Sequence, residues 1–250
     1  MLSKLNAAVN IMFSKLFSIH RIIIIRNLIF QNTKTFLFND TELEYFYHSY
    51  NNNRVSERAV EIPIIAYYLK KDKPSHILEI GNVTNHYYSH FSTLFKQKTV
   101  VDLYELGYDV INQDLLKFEP GSKFEYIISI STFEHFDSDR GRNREYVIDG
   151  SRYETYATDG IIHVCNELLA ENGTFIFTAP IGYDQAFDDT VFGNEINNIS
   201  LVKAKTIERN FVRKTGEIRW AQISETEAMN AQYNSPEKGV NVIVIYIIKN

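Results

Sequence analysis

The sequence predicts an α/β protein whose core is a doubly wound, mostly parallel β-sheet. Short, continuous apolar runs recur along the chain and are separated by helix-length segments. Runs that are apolar at every position suit strands that are buried on both faces, as in a parallel sheet covered by helices. The alternation of such strands with helices is typical of a doubly wound sheet with right-handed crossovers.

Four apolar runs predict the parallel strands of this sheet. They are HILEIG (76–81), TVVDLYE (99–105), YIISIS (126–131) and TFIFTAP (174–180). Helices are predicted over 85–98 and within 145–173. The segment VINQDLL (110–116) follows the second run too closely for a usual parallel crossover, which needs about a dozen residues. Either the helix is missing there and this strand is minimal, or the strand lies further along.

The chain divides into two predicted parts. Residues 1–72 are interpreted as a mostly helical N-terminal arm and lid, and residues 73–250 as the α/β core. In the helical segment 56–74, Pro63 marks a place where a first helix must bend or end. At the C-terminus, residues 217–224 and 239–249 predict an antiparallel pair of strands at the edge of the sheet.

Charge is distributed unevenly over the 250 residues. Residues 1–39 hold five basic side chains and no acidic one, which leaves 21 basic and 31 acidic side chains in the rest. An acidic body argues against nucleic-acid binding. Basic residues interrupt the apolar arm, residues 1–30, before it reaches the roughly 18–20 residues that a membrane span needs. We expect this arm to pack on protein, either the body or a second subunit in a homodimer, with membrane-surface contact as the less favoured alternative.

The single cysteine, Cys165, excludes an internal disulfide framework and fits a reducing compartment. Its spacing with neighbouring apolar residues predicts a core position in a helix rather than a nucleophile. We therefore expect a cytoplasmic protein.

Polar side chains collect where the predicted strands end, which is where open α/β sheets bind ligands. Gly81 would let the backbone turn tightly, and Asp102 would accept hydrogen bonds from both hydroxyls of a ribose. Asp114 could accept from an adenine amino group, and Glu79 could anchor a positively charged group. No glycine-rich phosphate loop follows the first strand, so the pattern favours an unphosphorylated, positively charged cofactor. The residues in these positions are Glu79, Gly81, Asn82, Asn85, His86, Asp102, Asp114, Ser131, Thr132, Glu134 and His135.

The order of these motifs resembles that of class I S-adenosylmethionine-dependent methyltransferases. The segments are HILEIG, TVVDLYE, INQDLLKF, KFEYIISISTFEHF and LLAENGTFIFTAPIG, over roughly residues 74–182. The resemblance implies a Rossmann-like methyltransferase fold and S-adenosylmethionine as the cofactor. The chain departs from the family in its first loop, where Gly81 alone is in register. Asn82, Asn85 and His86 would then line the methionine end of the cofactor or cap the next helix.

A narrower resemblance links YFYHSYNNN, SERAVEIPI, LEIGNVTNHY and ISISTFEH to methyltransferases associated with bacterial surface (capsular) polysaccharide genes. It implies O-methylation of a sugar, or of a phosphorus-containing precursor of the polysaccharide. Arg142 belongs to a local basic cluster that would hold an anionic acceptor. The expected acceptor-binding residues are Tyr47, His48, Arg58, Tyr183 and Arg142.

Methyl transfer to a hydroxyl often needs a base, and His135 is the first candidate and Glu134 the second. His135 could instead only pack beneath the cofactor. His86 and His90 have a spacing that metals use, but without a third ligand nearby we predict no metal site. The alternative function is a catalytically silent module that binds a nucleoside or acts as a partner subunit. An NAD-dependent oxidoreductase is less favoured, because a second and a third glycine are missing.

Overall fold

The computed structural model describes residues 35–48, 50, 56–107, 109–136, 156–216, 219–232 and 241–250. The strands are β1 (Thr35–Phe38), β2 (Thr41–Glu44), β3 (His76–Ile80), β4 (Gln97–Val101), β5 (Val110–Ile111), β6 (Phe124–Ile130), β7 (Leu169–Ile181), β8 (Thr206–Lys214), β9 (Trp220–Ile223) and β10 (Val242–Lys249). The α-helices are α1 (Arg58–Asp72), α2 (Tyr88–Phe91), α3 (Tyr156–His163), α4 (Gln185–Phe192) and α5 (Glu225–Ala228). Two 3₁₀ turns (Thr84–Tyr87 and Leu115–Lys117) and a π turn (Val164–Leu168) complete the described elements.

The predicted doubly wound sheet is confirmed. Within the described residues, eight strands form one sheet in the order β5-β4-β3-β6-β7-β10-β8-β9. Strands β5, β4, β3, β6 and β7 run parallel, while β10, β8 and β9 add antiparallel neighbours. The order reverses between β3 and β6, so the switch point lies at the carboxyl ends of these two strands.

One predicted crossover helix and the C-terminal pairing differ from expectation, and one of the two alternatives for VINQDLL is correct. The 14-residue helix predicted over 85–98 is a 3₁₀ turn followed by the four residues of α2. The minimal-strand alternative is correct for VINQDLL, because two residues, Val110 and Ile111, pair with β4 without an intervening helix. The C-terminal strands β9 and β10 do not pair directly, because the unpredicted strand β8 lies between them.

The prediction that residues 1–72 are mostly helical is wrong for 35–44, which form the antiparallel hairpin β1–β2. Residues 1–34 lie outside the described residues. Helix α1 runs through Pro63 instead of ending there. Proline has no N–H to donate to the carbonyl four residues earlier. That carbonyl, of Ala59, accepts the N–H of Phe46 at 3.0 Å, which ties the segment after the hairpin to the helix.

Apolar side chains bury both faces of the sheet. One cluster joins the sheet to α3 and α4, and the other joins it to α1 and the hairpin. In the part of the chain that the structure describes, no helix has the length and apolar character needed to cross a membrane. The two covered faces leave the strand ends as the place where a ligand can approach the sheet.

Candidate active site

A cavity of about 340 Å³ opens at the carboxyl ends of β3, β4 and β6, which is the switch point of the sheet. Eight residues singled out from the sequence line it. They are Arg58, Gly81, Asn82, His86, Asp102, Ser131, Thr132 and His135. The structure therefore brings together side chains from four separate segments of the chain.

Gly81 makes the tight turn that begins the loop after β3. Its φ is +84°, in the left-handed region that favours glycine. A Cβ at this position would lie 2.2 Å from Oγ1 of Thr132. Both the backbone angle and the close approach of Thr132 therefore require glycine at the cavity wall.

Asp102 is fixed in the cavity wall by three backbone donors. Its Oδ2 accepts from the N–H of Asn82 at 3.1 Å, and its Oδ1 accepts from Tyr104 and Glu105 at 2.8 and 2.7 Å. Each carboxylate oxygen can accept more than one hydrogen bond. The carboxylate is thus held at the end of the second parallel strand, with capacity left for a pair of hydroxyl donors.

Glu79 lies beside the cavity but does not line it, which corrects the expectation that it faces a ligand. The residue is fully buried. Its Oε1 accepts from the N–H groups of Val83 and Thr84 at 3.0 and 2.6 Å, and its Oε2 faces Lys98 at 3.0 Å. Glu79 therefore holds the loop in shape through the backbone N–H groups of Val83 and Thr84.

The side chains of the same loop form a polar chain. Asn82 Nδ2 donates to Glu105 Oε1 at 3.0 Å, and Asn85 Nδ2 donates to Asn82 Oδ1 at 2.5 Å. His86 Nε2 lies 2.8 Å from Glu105 Oε1. Asn85 does not line the cavity and does not cap a helix, since Tyr87 precedes α2 without a side-chain cap.

Asp114 does not line the cavity, contrary to the expectation for an adenine-binding acid. It caps the 3₁₀ turn by accepting from the N–H of Leu116 at 3.0 Å, and it accepts the hydroxyl of Tyr156. The cavity wall here is formed by residues that the sequence reading missed. They are Leu103, Tyr104, Gln113, Leu115, Phe136 and Tyr156, and Glu105, one of the polar residues expected after the second strand, lines the wall with them. The aromatic and apolar side chains among them, Leu103, Tyr104, Leu115, Phe136 and Tyr156, suit the faces of a nucleobase.

The floor of the cavity near His135 contains a buried charged cluster. Glu61, fully buried, accepts from Arg58 Nη1 at 2.9 Å and from the hydroxyls of Ser131 and Thr178, both at 2.7 Å. Burial lowers the pKa of Arg58, but the charge of Glu61, with that of Glu134, outweighs it and the net shift is upward. The guanidinium is therefore charged, and it lines the cavity.

Glu134 is 2% exposed and lies behind His135 rather than in the cavity wall. Burial raises its pKa well above the ordinary range, and the charge of Glu61 adds to the shift. His135 Nε2 lies 3.7 Å from Glu134 Oε1, while 42% of the His135 side chain is exposed. Of the two predicted bases, His135 is the one that a ligand in the cavity can reach.

The remaining predicted acceptor residues are not in the cavity wall. Tyr183 packs edge-on against His135, with ring centroids 5.2 Å apart. Tyr47 and His48 do not line the cavity, whereas Tyr50 does, and its ring stacks on His86 at 4.2 Å. Arg142 lies outside the described residues. Within the described part, no group of three or more His, Cys, Asp or Glu side chains is placed to hold a metal ion.

Comparison with protein-family models gives no match. Comparison with curated proteins gives none either. Among solved structures, the chain is similar to the N-methyltransferase NodS from Bradyrhizobium japonicum WM9 at 17% identity and a TM-score of 0.44, covering 76% of this chain and 94% of NodS. It is also similar to a SAM-dependent methyltransferase from Archaeoglobus fulgidus at 15% identity and a TM-score of 0.48, covering 78% of this chain and 95% of that one. A third similarity, at 14% identity and a TM-score of 0.42, is to the plantazolicin methyltransferase BpumL in complex with SAH, covering 75% of this chain and 81% of that one.

Proposed function

We propose that this protein is an S-adenosylmethionine-dependent methyltransferase. The observation that carries the proposal is the arrangement of the switch-point cavity. Asp102 lines the cavity with its carboxylate oriented by backbone N–H groups, which supports binding of ribose hydroxyls, and aromatic and apolar side chains line the same cavity, which supports packing against a base. When bound, S-adenosylmethionine supplies a methyl group that is activated by a positively charged sulfur.

The loop after β3 favours this cofactor over a dinucleotide. Phosphate-binding loops point backbone N–H groups at the ligand. Here the N–H groups of Val83 and Thr84 donate to the carboxylate of Glu79 instead. A pyrophosphate would therefore find these donors occupied, whereas a cofactor with a sulfonium and no phosphate does not need them.

The residues that we propose to bind the cofactor are Gly81, Asn82, His86, Asp102, Ser131 and Thr132, with Glu79, Asn85 and Asp114 fixing the loops behind them. His135 is proposed as the base that takes the acceptor proton, because it is exposed at the cavity and has Glu134 beside it. In this proposal Glu134 does not itself remove the acceptor proton, because it lies behind the wall.

We propose a hydroxyl acceptor on a sugar or phosphorus-containing precursor of surface polysaccharide, modified in the cytoplasm. The charged guanidinium of Arg58 supports an acceptor that carries a phosphate or carboxylate, and the exposed ring of Tyr50 at the cavity supports stacking on a sugar. Tyr47, His48, Tyr183 and Arg142 are proposed to extend the acceptor site beyond the cavity.

Calorimetric titration with S-adenosylmethionine and S-adenosylhomocysteine tests the cofactor. Saturable binding of both is expected, and binding of neither would contradict the proposal. Incubation with methyl-labelled cofactor and a set of nucleotide-linked sugars then tests the acceptor. Binding without label transfer to any acceptor would favour the silent nucleoside-binding module.

A further inference from the structure

We propose that Lys98 is a positioning residue for the cofactor loop, acting through a directional chain of side-chain hydrogen bonds that substitutes for the missing glycines. This inference rests on the proposed function. Lys98 is on β4 and does not line the cavity. From its position outside the cavity wall, it would set the conformation of residues 82–85 through hydrogen bonds.

The ammonium group of Lys98 is saturated by three acceptors. Its Nζ lies 3.0 Å from Glu79 Oε2, 2.5 Å from Thr84 Oγ1 and 2.7 Å from Asn85 Oδ1. The Lys98 side chain is 13% exposed and that of Glu79 is 0% exposed. Because an ammonium has three donors and no acceptor, all of its hydrogen bonds are donated to the end of β3 and to the loop that follows it.

The donor-only character of Lys98 fixes the direction of every following hydrogen bond. Asn85 must turn its oxygen to Lys98, so its amide nitrogen donates to Asn82 Oδ1. Asn82 must then turn its nitrogen outward, where Glu105 Oε1 accepts at 3.0 Å. Glu105 as a carboxylate can only accept, so the two ends of the chain require the same direction.

This chain ends on the groups that touch the cavity. Asn82 and Glu105 both line it, and the backbone N–H of Asn82 holds Asp102. Gly81 makes the turn at the end of β3. The residues that follow it are not glycines, and we infer that side-chain contacts keep them in one conformation. Lys98 and Glu79 supply these contacts at one end of the chain, and Glu105 supplies them at the other.

The first test compares Lys98→Met with Lys96→Met. Lys96 is exposed and precedes the same strand, so it controls for loss of a lysine. We expect Lys98→Met to weaken S-adenosylhomocysteine binding by about tenfold or more, the scale of one lost hydrogen bond to a charged group. Lys96→Met should bind as the wild type does. Equal affinity of the two variants would overturn the proposal.

The second test reverses the direction of the side-chain hydrogen bonds between Asn85, Asn82 and Glu105. It keeps Lys98, so it can be carried out even if Lys98→Met does not fold. In Asn85→Asp, one carboxylate oxygen still accepts from Lys98, but the other oxygen faces Asn82 where an amide nitrogen stood before. The amide of Asn82 must then rotate to donate to this oxygen. The rotation places the amide oxygen of Asn82 against the carboxylate of Glu105. Adding Glu105→Gln supplies a donor for that oxygen. Asn85→Asp should therefore weaken S-adenosylhomocysteine binding less in the Glu105→Gln background than in the wild type.

Additive effects in this double-mutant cycle would show that the hydrogen-bond direction does not matter, and the proposal would fail. Failure of the proposed function is a separate outcome, because wild-type protein would then bind no S-adenosylhomocysteine. Thermal unfolding of each variant is measured alongside. A variant with wild-type stability and weakened binding separates positioning of the loop from general loss of structure.

Discussion

Asn82 and Asp102 are joined by a hydrogen bond of 3.1 Å from the backbone N–H of Asn82 to Oδ2 of Asp102. This bond connects the loops after β3 and β4, two adjacent parallel strands whose carboxyl ends both border the cavity. The N–H groups of Tyr104 and Glu105 hold the other oxygen of Asp102. The acid is therefore oriented before any ligand binds, which lowers the ordering cost of binding.

We expect Asp102→Ala to weaken the binding of S-adenosylmethionine by roughly 100-fold, about 2.7 kcal/mol, because two charge-assisted hydrogen bonds to a ribose are lost. Calorimetric titration measures the change. Asp189→Ala is the matched control, since Asp189 is exposed on α4 and does not line the cavity. An unchanged affinity in Asp102→Ala would remove the ribose-binding role.

Gly81→Ala should destabilise the cavity wall and weaken cofactor binding. A methyl group there meets Thr132 and forces an L side chain to a φ of +84°, which costs about 1–2 kcal/mol before any clash. Urea unfolding and calorimetry measure the two effects. Gly121→Ala is the control, because a Cβ at Gly121 has nothing within 4 Å.

Adding Thr132→Ala to Gly81→Ala distinguishes the two causes. Removing the Thr132 side chain relieves the clash but leaves the backbone angle, so recovery should be partial. Full recovery would show that the backbone angle carries no cost, and no recovery would show that Thr132 is not the obstacle.

His135→Ala should lower turnover by roughly 100-fold or more while cofactor affinity stays near the wild-type value, as expected for loss of a general base. Steady-state kinetics with the acceptor and calorimetry with S-adenosylhomocysteine separate the two quantities. His163→Ala is the control, because His163 ends α3 and does not line the cavity. Should cofactor binding collapse in His135→Ala, the residue is a packing element rather than a base.

Four strands of the parallel sheet could be predicted from sequence because a short, mostly apolar run marks each of them, although β4 begins at Gln97, two residues before its run. The carboxyl ends of parallel strands meet at one edge of the sheet. The sequence alone therefore predicts that Gly81, Asp102 and Thr132 lie close together. Strand β8 was missed because six of its nine residues, TIERNFVRK, are polar and the buried ones are the three consecutive residues Asn210, Phe211 and Val212. Its neighbours in the sheet, not its own composition, keep it extended.

The rest of the site depends on contacts between residues far apart in the chain. Tyr156 reaches the cavity beside Phe136 from α3, and no local spacing in the sequence indicates this. The position of Glu79 outside the cavity wall could not be predicted for a similar reason. Its partner Lys98 is placed by the parallel register of β3 and β4, which pairs Ile77 with Lys98. Glu79 therefore pairs with Lys98 on the neighbouring strand and holds the loop, instead of facing the cavity.

Glu61→Ala should destabilise the fold by about 2–4 kcal/mol, because it leaves the partly buried Arg58 charge and two hydroxyls without their acceptor. Urea unfolding measures this loss. Ser131, one of those hydroxyls, has a φ of +41° and would lose a contact that holds this angle. Glu167→Ala, at an exposed position, should change stability by no more than about 0.5 kcal/mol.

The double variant Arg58→Met and Glu61→Leu tests the cause of that loss. An apolar pair leaves no unpaired charge, so the double variant should be more stable than Glu61→Ala alone. A double variant as unstable as the single one would assign the loss to the hydroxyl contacts of Ser131 and Thr178 instead of to the charge.

Asp188 should make stability fall as the pH rises from about 4 to about 6. Both of its oxygens accept from the N–H of Gly182, at 3.0 and 2.9 Å, and burial raises its pKa from 3.8 to about 6. Between those values the folded protein holds a proton that the unfolded chain has released, so raising the pH favours unfolding. The loss is on the order of 1–3 kcal/mol and is complete above the folded-state pKa.

Asp188→Asn removes this titration while keeping an oxygen that can accept from Gly182. Urea unfolding at pH 4 and pH 7 should therefore show a smaller decrease in stability in the variant than in the wild type. The difference between the two proteins should be greatest above pH 6, where the wild-type carboxyl is ionised and the asparagine is neutral. An identical pH dependence in both proteins would mean that Asp188 keeps an ordinary pKa and that its bond to Gly182 offsets its burial.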